Sequence, residues 1–208
     1  MQRSAILEKD TLQLTVEGLS CHRSGRPVFS DLGFAAQATQ LVRLFGGNGV
    51  GKSTLLRALA GLLQPEAGSV RVSGGTTIYA GHLMALKVDL SLLENMVARA
   101  ALAGQPLDLE RARAALAHAG VLAIGGRPVR TLSQGQRQRG ALAFLSLFLG
   151  STVWLLDEPF NALDRSAHDW LDQLIAQHRQ AGGIVVLASH LALALDNGPG
   201  VVAVAMAG

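Results

Sequence analysis

Gly46-Gly47-Asn48-Gly49-Val50-Gly51-Lys52-Ser53-Thr54 places Gly46, Gly51, Lys52 and Ser53 at the spacing G-x-x-x-x-G-K-[ST]. Glycines here let successive backbone N–H groups turn inward around an anion with no Cβ in the way. A helix that starts at the same point adds its positive dipole end. Lys52 then reaches β and γ phosphates and the Ser53 hydroxyl is placed for Mg²⁺, so the expected ligand is a nucleoside triphosphate. A second chemical pair, Asp157 and Glu158, ends the apolar run Val153-Trp154-Leu155-Leu156. Strand carboxyl ends line the crevice of an open parallel sheet. Asp157 is therefore expected to hold Mg²⁺, and Glu158 to polarise an attacking water. Alone, an Asp-Glu pair is an ordinary solvated strand end; beside a phosphate loop it reads as chemistry.

Leu132-Ser133-Gln134-Gly135-Gln136 is the other distinctive stretch. Ser133 and Gln136 have the spacing of a capping box, so Ser133 can serve only its own helix end. Gly135 bares the backbone, however, and a helix N-terminus attracts phosphate. Local pattern leaves both roles open.

The flanking residues set the elements that must position these groups. Gln40 to Phe45 is strand-like and Leu55 to Ala60 favours a helix, giving the loop its strand, turn, helix context. Leu12, Leu14 and Val16 alternate with Gln13, Thr15 and Glu17, the pattern of a half-buried strand over 11–17. With the run Val28 to Ala36 across the turn Ser24-Gly25-Arg26-Pro27, it predicts an antiparallel hairpin. Short strands follow at Ser69–Val72 and Thr76–Ala80. His82 to about Gly150 reads mostly as helix, with Ser91 capped by Glu94 and an amphipathic segment from Asp108 to His118. Strand, helix and strand return at Thr152–Leu156, Arg165–Gln180 and Gly183–Leu187, before a last apolar strand at Val201–Ala205. That order fits a parallel core sheet with a helical insertion.

At 208 residues the chain can bury one core with an inserted lobe. Hydrophobic residues reach 49% and mean hydropathy is +0.31, which raises a membrane span as a possibility. The longest uncharged run, 140–156, is broken by Ser146, Gly150, Ser151 and Thr152, so it is read as a buried helix followed by a buried strand. The first ten residues hold no apolar signal segment, and a cytosolic chain is expected. Cys21 stands alone, without an internal disulfide partner, and reads as a small apolar residue. A net charge of +3 permits nucleic acid as partner, but the arginines are scattered and no nucleic acid is expected.

Leu-Ser-x-Gly-Gln between a phosphate loop and an apolar strand ending in Asp-Glu resembles the nucleotide-binding subunit of ABC transporters, over nearly the whole chain. The resemblance implies an α/β fold: a P-loop NTPase (RecA-like) core, here 1–81 and 151–208, with an antiparallel β subdomain and an inserted helical subdomain at about 82–150. It implies ATP and Mg²⁺ as cofactors. It further implies a homodimer on ATP binding, each nucleotide lying between the loop 46–54 of one copy and Ser133, Gly135 and Gln136 of the other. Asp164 matches the residue that bridges the two sites, and His190 the switch histidine that contacts the γ-phosphate. His82 stands where a glutamine is usual; its imidazole can bind a metal-held water, with a charge that depends on pH. Where the family usually stacks an aromatic ring on adenine, His22-Arg23-Ser24 has none; the resemblance aligns Arg23 there by its distance from Asp31, and its guanidinium can stack on the base instead.

Tyr79-Ala80-Gly81-His82, Leu93-Glu94-Asn95 and the stretch from Ala176 to Val185 are similar to one branch, the ATP-binding subunit of cytochrome c maturation, known as the haem exporter. Gly47, Gln134 and Phe144 depart from that branch, where proline, alanine and arginine are usual. The branch implies integral membrane subunits of the maturation complex as partners, and a peripheral position on the cytoplasmic face of the bacterial inner membrane. It also implies ATP turnover that drives haem export or release of a haem-loaded chaperone. No haem ligation is expected, since His118, His168 and His178 read as surface residues in helical, polar settings. The segment 83–90 is expected to couple the site to a partner, its Leu83, Met84, Leu86 and Val88 packing either on a partner helix or on the core. Two other readings remain: a transporter ATPase for another substrate, and a soluble ABC ATPase that moves nothing across a membrane.

Overall fold

A computed structural model describes residues 11–23, 25–81, 86–102 and 104–206. The chain opens with β1 (Gln13–Arg23) and β2 (Arg26–Gln37), an antiparallel hairpin. Leu14 and Val16 are buried while Gln13 and Glu17 face solvent, as the alternation dictates. The strand does not stop at Glu17. Gly18, at φ 59, forms a bulge that shifts the register and returns Leu19 and Cys21 to the buried face. Cys21 is a free, buried thiol that burial holds above its ordinary pKa.

β3 (Leu41–Phe45) runs into the glycine loop and then α1 (Lys52–Leu59), after which β4 (Ala67–Ser73) completes a three-stranded sheet in the order β2-β1-β4. β5 (Thr76–Ala80) begins the second sheet. Three helices follow, α2 (Leu92–Leu102), α3 (Leu109–His118) and α4 (Gln134–Leu142), before β6 (Thr152–Asp157). α4 is shorter than the apolar run that begins in it; a 3-10 segment, Ala143–Leu147, carries the chain on towards β6. α5 (Arg165–Gln180), β7 (Ile184–Ala188) and β8 (Val201–Ala205) end the described fold. The second sheet is parallel throughout, in the order β5-β6-β7-β3-β8.

Strands of such a sheet are covered on both faces, hence their near-continuous apolar runs. Val42, Leu44, Val153, Leu155, Ile184 and Val186 pack with α1 and the antiparallel sheet. Their neighbours Leu41, Trp154, Leu156, Val185 and Leu187 pack with α5 and with Leu92, Met96, Ala112 and Leu116 of the inserted helices. Helix starts are satisfied locally. Asp108 accepts from Arg111 N at 2.7 Å, Ser91 and Glu94 exchange bonds as a capping box, and Asp164 accepts from Ala167 N at 2.8 Å. Asn95, buried, ties down the preceding loop by bonding Lys87 N, Lys87 O and Leu90 O.

Of the three histidines expected at the surface, His118 is exposed and His168 half-buried. His178 overturns the expectation, being fully buried. On α5 it follows Ala167, Trp170, Leu171, Leu174 and Ile175 along the buried face at helical spacing. Its ring stacks on Trp154, with centroids 3.7 Å apart and planes 9° apart. Nδ1 accepts from Gly150 N at 3.2 Å, which leaves Nε2–H to donate to Thr152 O at 3.1 Å or Ile184 O at 3.3 Å. A Cβ on Gly183 would overlap the ring, so glycine is required there. Burial disfavours the imidazolium and lowers the His178 pKa to about 4. Above the unfolded value near 6.5 both states are neutral and the full stability is present. As pH falls from there towards 4, the unfolded chain takes up a proton that the folded chain refuses, and stability drops by about 3 kcal/mol. Urea midpoints recorded between pH 7.5 and 4.5 should fall on this schedule, and His178→Gln should flatten that part of the profile.

Candidate functional site

The carboxyl ends of β6, β7 and β3, adjacent in the sheet, bring the proposed chemical groups to one cleft of about 300 Å³. Its walls include Arg23, Asn48, Gly49, Gly51, Lys52, Ser53, Thr54, Asp157, Glu158 and His190. Gly46, Gly49 and Gly51 have φ of 146°, 81° and 99°, a left-handed run that non-glycine residues avoid. Gly51 is doubly constrained, since a Cβ there would also strike Val28. Lys52 Nζ donates to Gly46 O at 2.7 Å and Gly47 O at 2.8 Å, which centres the ammonium within the loop.

Ser53 Oγ donates to Asp157 Oδ1 at 2.9 Å, so a hydroxyl on α1 and a carboxylate at the end of β6 share one point. Hard oxygen donors of this kind suit Mg²⁺, which is bound by one or two carboxylates plus substrate phosphates and water. Among the described residues no group of three or more His, Cys, Asp or Glu gathers to hold a metal. Tyr79, expected in a strand but not as a site residue, reaches Asp157 Oδ2 at 3.4 Å from β5. Burial raises the Tyr79 pKa, so the phenol keeps its proton for that bond. Arg57, one turn into α1, is a further cleft residue that sequence reasoning missed. Its i, i+4 relation to Ser53 was the available signal.

Glu158 has φ 51, a left-handed conformation that costs a non-glycine residue about 1–3 kcal/mol. Its N–H still pairs with Ala188 O at 2.9 Å, so the sheet holds the turn in place. His190 N donates to Glu158 Oε2 at 3.3 Å, and His190 Nε2 lies 3.0 Å from Oε1 but outside hydrogen-bond geometry. Oε1 is thus a buried acceptor with no donor among the described residues. A carboxylate oxygen in that condition, beside a phosphate loop, suits the proton of an attacking water.

The remaining expected residues lie elsewhere. Ser133, Gly135, Gln136 and Asp164 line a second cleft of about 490 Å³, apart from the first. Ser133 Oγ accepts from Gln136 N at 3.2 Å and Gln136 Oε1 accepts from Ser133 N at 3.0 Å, so the capping role is filled. The Ser133 hydroxyl retains its own proton to donate, and capping does not exclude a phosphate contact. A Cβ on Gly135 would stand 2.5 Å from Ala162 O, which brings α4 against the turn at Ala162 (φ 61). Gln138 Nε2 donates to Pro159 O at 3.1 Å, tying α4 to the residue after Glu158. The Ala167 and Ser166 hydrogen bonds hold the Asp164 carboxyl below its usual pKa. His82, expected at the metal, lies outside the described residues, as do Leu83 and Met84. Of the remaining apolar members of the coupling segment, Leu86 packs on the core and Val88 is exposed. Phe144 is buried, and Arg99 of α2 lays its guanidinium 4.2 Å from the ring centroid while donating to Tyr79 O at 3.2 Å.

Residues 29–161 match the family described as ABC transporter. The cytochrome c biogenesis ATP-binding export protein CcmA of Nitrosospira multiformis is 41% identical over 192 residues, covering 85% of this chain and 91% of that protein. The protein of the same name from Rhodopseudomonas palustris is 42% identical over 193 residues, covering 88% and 94%. Among solved structures, an ABC transporter ATP-binding protein from Pyrococcus furiosus has TM-score 0.78 at 23% identity, covering 93% of this chain and 97% of that one. An ATP-binding subunit of an ABC transporter has TM-score 0.74 at 25% identity, with 86% and 79% covered.

The approach of Gly135 to Ala162 O sets an expected outcome. Gly135→Ala should cost about 1–3 kcal/mol in a urea titration, because a backbone oxygen must yield to the added methyl. Phosphate affinity at the Lys52 cleft should stay within about twofold, since α4 lines only the other cleft.

Proposed function

The chain belongs to the ABC transporter family, in the branch of the cytochrome c biogenesis ATP-binding export proteins, and on that premise we propose that it hydrolyses ATP to drive the membrane complex of c-type cytochrome biogenesis. The observation that carries the hydrolytic part is the convergence of Lys52, Ser53, Asp157, Glu158 and His190 on one cleft. Lys52 and the N–H groups of residues 46–54 hold the phosphates, and Arg23 at the rim stacks on the base. Ser53 and Asp157 would hold Mg²⁺, and His82 is assigned to the same ion. When bound, Mg²⁺ supplies positive charge that offsets the charge developing on the transferred phosphoryl group. Glu158 Oε1 takes the proton of the attacking water, and His190, 3.0 Å away, orients that carboxylate and contacts the γ-phosphate.

Ser133, Gly135, Gln136 and Asp164 form the complementary half-site, presented to the nucleotide of a second copy. Their separation from Lys52 within one chain supports the head-to-tail pairing. In this reading 1–81 with 151–208 is the catalytic core, and about 82–150 is the arm that carries the half-site to the partner. Among the described residues no helix is long and apolar enough to cross a membrane. We assign the chain to the cytoplasmic face of the inner membrane, bound peripherally to integral subunits, its turnover driving haem export or release of a haem-loaded chaperone.

Glu158→Gln is the direct test. Turnover should fall at least about 100-fold with ATP affinity retained, and the variant should elute as a dimer when ATP is present. Turnover at the wild-type rate would refute the assignment of the base. For the biological role, the chain purified from native membranes should bring with it integral proteins of cytochrome c biogenesis; uptake permeases in their place would reject that assignment and leave the ATPase standing.

A further inference from the structure

Arg43 is an anomaly in β3. An arginine in the middle of an interior parallel strand, flanked by Leu41, Val42 and Leu44, is 1% exposed. A charge so placed is tolerated only when fully partnered. Its partners share one feature. Nη1 donates to Leu187 O at 3.5 Å and to Ser189 O at 3.4 Å, and Nη2 donates to Leu191 O at 2.8 Å. Those carbonyls lie on both sides of His190. The counter-charge is Asp196, with Oδ1 on Nε at 2.5 Å and Oδ2 on Nη2 at 3.4 Å. Asp196 in turn accepts from Leu193 N at 3.0 Å, and Ser189 Oγ accepts from Leu191 N at 3.1 Å. The turn that presents His190 is therefore pinned from beneath by one guanidinium.

We infer that Arg43 is a positioning residue for His190: with Asp196 as its counter-ion it fixes the Ser189–Leu191 turn so that the imidazole meets Glu158. The inference rests on the proposed ATPase reading and extends it. Arg43 does not line the nucleotide cleft, so it acts through the turn and not on the substrate. The planar fork of arginine is what the geometry uses, since three carbonyls and a carboxylate surround it in different directions. A lysine ammonium keeps the charge but cannot span them. Because β3 also leads into the glycine loop, the same side chain joins the phosphate-binding strand to the histidine turn.

The test uses Arg43→Lys and Asp196→Asn in the full chain, with turnover measured in the complex purified from membranes. Histidine rings are labelled with ¹³C at Cε1, and the His190 signal is assigned by its loss in His190→Ala. Each variant should lower kcat roughly 10- to 100-fold while KM for ATP stays within about twofold, as for misplacement of a group that acts in the transition state. The His190 resonance should move or split, while that of His178, buried at the far end of the same sheet, should hold its position. Asp196→Asn serves where Arg43→Lys fails to fold. Unchanged kcat overturns the inference, as does a lowered kcat with an unmoved His190 signal. Joint displacement of His190 and His178 overturns it too, because that marks general loosening. Should Glu158→Gln keep full turnover, it is the ATPase reading that fails, and the His190 resonance still reports on Arg43.

Discussion

Leu41–Leu44, Val153–Leu156 and Ile184–Ala188 present apolar side chains, apart from Arg43, on both faces of their strands, and they are buried on both. Only a parallel sheet sandwiched between two layers accommodates such strands. The pairing of β6 with β7 and β7 with β3 follows, and with it the side-by-side placement of three strand ends. Apart from Arg23 of the antiparallel sheet and Arg57 of α1, the polar groups of the cleft are carried at or just past those ends: the glycine loop after Phe45, the carboxylates at Asp157 and Glu158, the histidine after Ser189. Backbone pairing sets strand spacing to about 4.8 Å, so groups at adjacent strand ends arrive within a bond or two of each other. His190 and Glu158, past the ends of neighbouring β7 and β6, lie 3.0 Å apart as a consequence of that spacing, whereas Ser53 reaches Asp157 at 2.9 Å from the first turn of α1, beyond the intervening β7.

The two clefts differ in what they ask of the backbone. Around Lys52 the chain bends through left-handed glycines, the backbone form that lets successive N–H groups surround an anion. Around Ser133 the backbone is an ordinary capped helix start, its first donors already partly used by the Ser133 hydroxyl. In the proposed reading the first cleft supplies the main phosphate donors. The second, with Gln136 N already bonded to Ser133 Oγ, has fewer free donors, in keeping with the proposed complementary half-site.

Much of this was legible because it depends on local pattern. The glycine loop, the Asp-Glu strand end, the Ser91 and Ser133 caps and the bounds of α5 and β8 each follow from residues close in sequence. What was missed depends on what lies opposite. His178 was read by its polarity, although its position eight residues after Trp170, on the stripe with Leu171, Leu174 and Ile175, already put it on the buried face. The continuation of β1 past Gly18 was hidden by a bulge that breaks the alternation. Tyr79 meets Asp157 across a strand pair that sequence order does not announce. Phe144 was singled out for the arginine that usually stands there. In the structure Arg99 of α2 lies over its ring, a contact between elements that sequence order does not announce.

The stretch from Asp157 to Asp164 is where the constraints on both clefts meet. At one end Glu158 is held in a strained left-handed conformation by its bond to Ala188 O. At the other Asp164 caps α5, and between them Ala162, also at positive φ, receives Gly135 of α4 at a separation that leaves no room for a methyl. Gln138 adds a bond from α4 to Pro159 O, directly beside Glu158. Two left-handed residues in one short segment store strain that any shift of α4 would redistribute, since close-packed elements slide rather than stretch. α4 therefore meets this segment at two points, Pro159 O and the Ala162 turn, and the residues of both clefts share one short stretch of backbone.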